Sequence, residues 1–127
     1  MFQSASLSAC VAIADDNRDA ADSLRLCFEL EGYRALVVYD GAAAVSASAH
    51  YLPAVVVLDL QMPKLDGYHA ANNIRYILGE GALLIALTAL CDEATKTKCR
   101  ACRFDHHLSK CCGFDELREL VADRLAA

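Results

Sequence analysis

At 127 residues the chain has the length of one domain and is long enough to bury a core without disulfides or a structural metal. Its apolar fraction of 56% is broken into runs too short to span a membrane, and no charged segment precedes an apolar one at the N-terminus, so a cytoplasmic chain without signal peptide or anchor is expected. A net charge of −5 argues against a nucleic-acid surface, and seven cysteines without an export signal argue for reduced thiols rather than a disulfide framework.

The run ACVAIA, Ala9 to Ala14, reads as a buried first strand ended by two adjacent carboxylates, Asp15 and Asp16. Asn17 caps the helix that follows, whose apolar residues Ala20, Leu24, Cys27 and Phe28 recur at helical spacing until Gly32 stops it. Cys10 and Cys27 fit as small core residues. RALVVY, Arg34 to Tyr39, is a second strand, and Asp40-Gly41 opens an alanine-rich helix running to about His50, with Pro53 beyond its end.

The stretch VVVLDLQMPKLDG, Val55 to Gly67, organises the rest. Its four apolar residues run without alternation into Asp59, the pattern of a strand buried on both faces whose C-terminal tip meets solvent. Met62-Pro63 prevents the strand from continuing, and Asp66-Gly67 turns the chain into a third helix, from about Tyr68 to Leu78. ALLIALT, Ala82 to Thr88, is the fourth strand, again with a polar tip. The pattern from Asp92 to Cys102 predicts a marginal, mobile helix, because Lys96, Lys98 and Arg100 interrupt its apolar face. Phe104 to Leu108 is expected to be a short fifth strand carrying His106 and His107, and Phe114, Leu117, Leu120, Val121 and Leu125 define an amphipathic last helix.

Strands alternating with helices in this way predict an α/β fold, a five-stranded doubly wound parallel sheet between two helical layers. Right-handed crossovers make every strand point the same way, so Asp15, Asp16, Asp59, Thr88 and Lys110 all fall at the C-terminal edge, where such sheets bind ligands. Three carboxylates at one place repel each other unless a cation neutralises them, and an oxygen-only site of this charge suits Mg²⁺. With one ammonium and one hydroxyl added, these are the parts that phosphoryl transfer to a carboxylate requires. Capping one helix needs one acid, so the Asp15-Asp16 pair exceeds that role, although Thr88 or Lys110 taken singly reads as an ordinary strand or surface residue.

The acidic pair Asp15-Asp16, the D-L-Q-M-P-x-L-D-G stretch from Asp59 to Gly67, Thr88-Ala89 and Lys110 together resemble the receiver domain of two-component response regulators over nearly the whole chain. The FDHHLxK run, Phe104 to Lys110, resembles receivers attached to hybrid histidine kinases. The resemblance implies the flavodoxin-like strand order 2-1-3-4-5 and a single receiver domain over residues 1–127 with no output domain. It implies that Asp59 accepts a phosphoryl group from a sensor histidine kinase or a histidine phosphotransfer protein. It further implies that Asp16, Asp59 and the Gln61 carbonyl hold Mg²⁺, that Asp15 acts through water, and that Thr88 and Lys110 bind the phosphoryl oxygens. The outgoing signal would pass to a downstream protein over the face of the fourth helix, fifth strand and fifth helix, with His107 at the position of an aromatic switch. No contact with nucleic acid or membrane is implied.

Two departures from the family pattern stand out. Cys111 follows Lys110 where proline is usual, and Arg103 stands where a glycine commonly ends the fourth helix, a place where positive φ costs an arginine about 1 kcal/mol. Two other readings remain open: a receiver-like binding module that is never phosphorylated, and a thiol or metal sensor built on Cys91, Cys99, Cys102, His106, His107, Cys111 and Cys112, whose spacing lacks the paired C-x-x-C of structural zinc sites.

Overall fold

The computed structural model describes residues 10–89, 92–110 and 113–125. Strands and helices alternate as β1 (Cys10–Ala14), α1 (Arg18–Leu30), β2 (Arg34–Val38), α2 (Gly41–Tyr51), β3 (Val55–Leu58), α3 (Gly67–Leu78), β4 (Leu83–Thr88), α4 (Glu93–Ala101), β5 (His106–Ser109) and α5 (Phe114–Leu125), with a short 3-10 turn at Gly79–Gly81. The strands form one parallel sheet in the order β2-β1-β3-β4-β5, the expected flavodoxin-like arrangement. Every residue of β3 is buried, as its unbroken run of valines and leucine requires of a central strand covered on both faces.

Alternate residues of each strand feed two separate cores. Ala12, Ala14, Val56, Leu58, Leu84 and Ala86 pack beneath α2, α3 and α4. Val11, Ile13, Val55, Val57 and Ile85 face α1 and α5, where fully buried Phe28 meets the ring of Phe114 edge-on at 5.0 Å between centroids. Burying that one phenylalanine contributes about 2–3 kcal/mol, and it ties the first helix to the last. Four helices begin on an Asn or Asp whose side chain accepts the amide three residues on: Asn17 from Ala20, Asp40 from Ala43, Asp66 from His69 and Asp92 from Thr95. No helix among the described residues is long and apolar enough to cross a membrane.

Three expectations need correction. The fifth strand begins at His106 rather than Phe104, because the Phe104 amide turns back to the Cys99 carbonyl at the end of α4 and its ring enters the core. Cys10 and Cys27 are only partly buried; among the described residues the cysteine in the core is Cys99. The second strand stops at Val38, leaving Tyr39 to donate its hydroxyl to Asp22 at 2.8 Å beneath the Arg18 guanidinium. Leu90, Cys91, Cys111 and Cys112, and with them the peptide bond that follows Lys110, lie outside the described residues.

One buried cation escapes sequence reading altogether. Arg75, near the end of α3, is 2% exposed, and it donates to the carbonyls of Gly79 (2.9 Å), Ala82 (2.8 Å) and Arg103 (2.7 Å) and to the carboxylate of Asp105 (2.9 Å). The same Asp105 oxygen accepts the Leu84 amide at 2.8 Å, so one ion pair joins the end of α3, the start of β4 and the α4–β5 connection. Arg103 does stand at positive φ, +69°, as its place after α4 suggests. Its strain is offset by the Arg75 contact to its carbonyl and by an ion pair between its side chain and Glu80. Replacing Arg75 by methionine strands three carbonyls and a carboxylate; since Asp105 keeps some solvent contact, the expected loss is about 2–3 kcal/mol by urea denaturation. Arg75→Lys should recover only part of it, because an ammonium lacks the planar fork. A loss under about 0.5 kcal/mol for Arg75→Met would show that the network does not stabilise the fold.

Candidate functional site

Parallel pairing puts Ala14 opposite Leu58, so the residues that follow, Asp15 and Asp59, leave the sheet side by side. The Asp59 amide still donates to the Ala14 carbonyl at 2.9 Å, which fixes the two backbones where their carboxylates begin. Both carboxylates are 6% exposed, while Asp16 is exposed. Burial in the crowded edge has a cause in two glycines. A Cβ on Gly67 would lie 2.4 Å from the Asp59 carbonyl oxygen, and one on Gly41 would lie 1.7 Å from the Leu65 carbonyl oxygen. Only glycine lets the starts of α2 and α3 close on the 59–67 loop this tightly. The D-G pairs that open these two helices are the sequence signal for that closure, which is otherwise invisible before the fold is known.

On the far side, Thr88 ends β4 opposite Ser109 and is 1% exposed. Its carbonyl accepts the Lys110 amide at 2.9 Å, which aims the lysine along the sheet edge. The Lys110 ammonium reaches Asp15 at 2.9 Å and Asp59 at 3.2 Å. Asp15 uses its other oxygen to accept the Asn17 amide at 3.0 Å, and Asp59 accepts that of Gln61 at 3.4 Å. Oxygens of Asp15, Asp16 and Asp59 all lie within 4.8 Å of one another, the only such group of potential metal ligands among the described residues. Of the expected site residues, Asp15, Asp16, Asp59 and Lys110 are thus brought together; Gln61 is exposed at the rim, and Thr88 is buried at the neighbouring strand end. His107 lies in β5, half-buried, paired in register with Ala86.

Burial and the nearby charge of Asp15 push the Asp59 carboxyl above the usual carboxylate range, only partly opposed by Lys110. Burial also works against the Lys110 ammonium, but the hydrogen bond it donates to Asp15 and the charges of both carboxylates prevail and hold its pKa above the usual lysine value. A raised carboxyl pKa means that the folded chain binds this proton more tightly than the unfolded chain. The stability it contributes is therefore present at acid pH and lost as pH rises through its folded-state titration. Asp59→Asn should consequently be more stable than the parent at pH 7 in metal-free buffer, with the difference shrinking as pH is lowered through the carboxylate range. Urea denaturation across pH reads this, and a variant less stable than the parent at pH 7 would contradict the charge assignment.

Comparison with known proteins agrees with this geometry. A model of the response regulator receiver domain matches residues 11–122. The transcriptional regulatory protein KdpE of Mycobacterium tuberculosis (strain ATCC 25618 / H37Rv) is 31% identical over 121 residues, covering 92% of this chain and 53% of that protein. The chain therefore spans about half the length of that curated relative. Among solved structures, the receiver domain of the Francisella response regulator 1452 superposes with a TM-score of 0.85 at 28% identity, covering 93% of this chain and 97% of that one. The receiver domain of the sensor histidine kinase PA1611 from Pseudomonas aeruginosa, solved with a magnesium ion coordinated in its active-site cleft, shares the fold with a TM-score of 0.83 at 24% identity, over 94% of this chain and 98% of that one. On its sequence, its strand order and its acidic edge, the chain belongs to the response regulator receiver domains of two-component signalling.

Proposed function

We propose that Asp59 is a phosphoacceptor: it takes a phosphoryl group from the phosphohistidine of a sensor histidine kinase or a histidine phosphotransfer protein, in a Mg²⁺-dependent reaction in the cytoplasm. The observation that carries this reading is the grouping of three carboxylates at the sheet edge, two of them in contact with one lysine. Three carboxylates and one ammonium leave the site with an excess of two negative charges, which matches one divalent cation. Their oxygens, all within 4.8 Å of one another, are the hard donors that such a cation would take. Asp16, Asp59 and the Gln61 carbonyl would hold Mg²⁺, with Asp15 acting through water, and the ion would supply the positive charge that a dianionic phosphoryl group needs before it can approach carboxylates.

The remaining steps belong to this chain's own side chains. An Asp59 oxygen attacks phosphorus in line, and the phosphorus–nitrogen bond of the donor breaks with its electron pair leaving on the imidazole. Lys110, already in contact with Asp59, turns its ammonium to a phosphoryl oxygen as the carboxylate charge moves outward. The Thr88 hydroxyl serves a second oxygen, and its displacement is felt by His107, whose strand neighbour Ala86 lies two residues before Thr88. The signal then leaves over α4, β5 and α5 to a downstream protein. Cys99 itself is poorly suited to act as a reactive thiolate, since burial and Cys102 push its thiol up to about 11.

Incubation with acetyl phosphate and Mg²⁺, followed by phosphate-affinity electrophoresis, tests the reading. Labelling should vanish in Asp59→Asn and with chelator, and Asp16→Ala should need roughly ten times more Mg²⁺ for the same extent. A parent that takes no label would favour a binding module of the same fold, and undiminished labelling of Asp59→Asn would remove Asp59 from the role.

A further inference from the structure

The N-terminal edge of the sheet, opposite the carboxylates, carries a groove of about 330 Å³ lined by Leu52, Pro53 and Ala54 ahead of β3, by Ile77 and Leu78 at the end of α3, and by Ala82 ahead of β4. Pro53 and Ala82 form a buried floor, while Leu52 and Ile77 stand 65% and 38% exposed at the walls. No lining residue is charged, in a chain of which 23% is Asp, Glu, Lys or Arg. Leu52 is held there against two preferences. It ends α2 at φ +50°, the left-handed conformation usually left to glycine, and it turns a large apolar side chain toward water. Covering that side chain offsets both costs.

The chain enters the sheet beside this groove. The carbonyl of Cys10, the first residue of β1, accepts the Ala54 amide at 3.0 Å, and the Ala54 carbonyl accepts that of Leu83 at 2.9 Å, so whatever precedes Cys10 arrives next to the groove's lining. Residues 1–9, which lie outside the described residues, read MFQSASLSA. From Ser4 to Ala9, serine alternates strictly with Ala5, Leu7 and Ala9, the period-two pattern of an extended segment with one apolar and one polar face. No side chain in the segment is charged, so none resists burial against an uncharged groove. Leu7 is three residues from Cys10, and three residues of extended chain reach about 10 Å, enough to bring it over Pro53.

We infer that residues 1–9 fold back over this groove as an extended strap, with Leu7 seated between Leu52 and Ile77 and the serines facing water. The strap closes the end of the sheet opposite Asp59 and needs neither Mg²⁺ nor a phosphoryl group, so it stands apart from the proposed chemistry. A second copy of the chain is the rival occupant. The groove accepts a side chain or two, less than the contiguous patch on which a stable dimer is built, whereas a segment already tethered at the groove's edge docks without losing translational freedom.

Isotope-filtered NOE spectra of the full chain, on a sample mixing labelled and unlabelled protein, test it. Methyl contacts of Leu7 with Leu52 and Ile77 should appear within one molecule and be absent between molecules. Leu7→Ser, which leaves every residue of the two cores intact, should shift the amide signals of Leu52, Ala54, Ile77 and Ala82 while those of Thr88 and Ser109 stay in place. The losses in urea midpoint from Leu7→Ser and Ile77→Ser should be less than additive in the double variant, since either change releases the same contact. Should Ile77→Ser fail to fold, the contacts and the Leu7→Ser shifts decide the question without it. No contact between Leu7 and the groove, groove amides indifferent to Leu7→Ser, or Leu7 contacts found only between molecules would each overturn the inference.

Discussion

The contact on which the rest of this structure depends is that of Lys110 with Asp15 and Asp59, 2.9 and 3.2 Å away. Two carboxylates at 6% exposure would repel strongly in a low-dielectric edge, and a single ammonium just beyond the last strand relieves both. Everything that positions these groups is backbone. Parallel register sets Asp15 beside Asp59, the Asp59 amide is bonded to Ala14, and the Lys110 amide is bonded to Thr88. The relief is incomplete, because Lys110 contacts two of the three acids gathered at this edge, and the edge is left with excess negative charge.

A second charge pair does a different task at the opposite end of the sheet. Arg75 and Asp105 hold the entry to β4 and the α4–β5 connection together, and Arg124 adds hydrogen bonds to the carbonyls of Glu80 and Gly81. The connection after α4 is therefore fixed to the sheet, while α4 itself buries only Thr95 and Cys99. α4 is thus anchored at its C-terminal end and lightly packed along its length.

How much of this was legible in the residues differs by level. The parallel sheet and the convergence of Asp15, Asp16, Asp59 and Lys110 follow from apolar runs that end in polar tips, because a parallel sheet sends every such tip to one edge, whereas the order of the strands was legible only through the resemblance to receiver domains. The start of β5 was misread because Phe104 looks like a strand residue, and only its backbone bond to Cys99 shows that α4 has not yet released the chain. Cys10 and Cys27 were misplaced for a related reason: periodicity assigns a face, but how deeply the face is covered depends on neighbours distant in sequence. Arg75 gave no signal, since an arginine in a helix reads as a solvent contact until the four acceptors gathered from separate loops are known. The close approaches of Gly41 and Gly67 to the 59–67 loop were visible only as turn residues.

The most direct measurement is the titration of the Asp59 side-chain carboxyl by carbon-detected NMR, in metal-free protein, in the presence of Mg²⁺, and in an Asp15→Asn variant. In metal-free parent protein Asp59 should titrate above the exposed aspartates; removing the Asp15 charge or adding Mg²⁺ should bring it down. An Asp59 that titrates with the exposed carboxylates, and that responds to neither the ion nor the loss of Asp15, would contradict the charge-crowded edge on which the proposed chemistry stands.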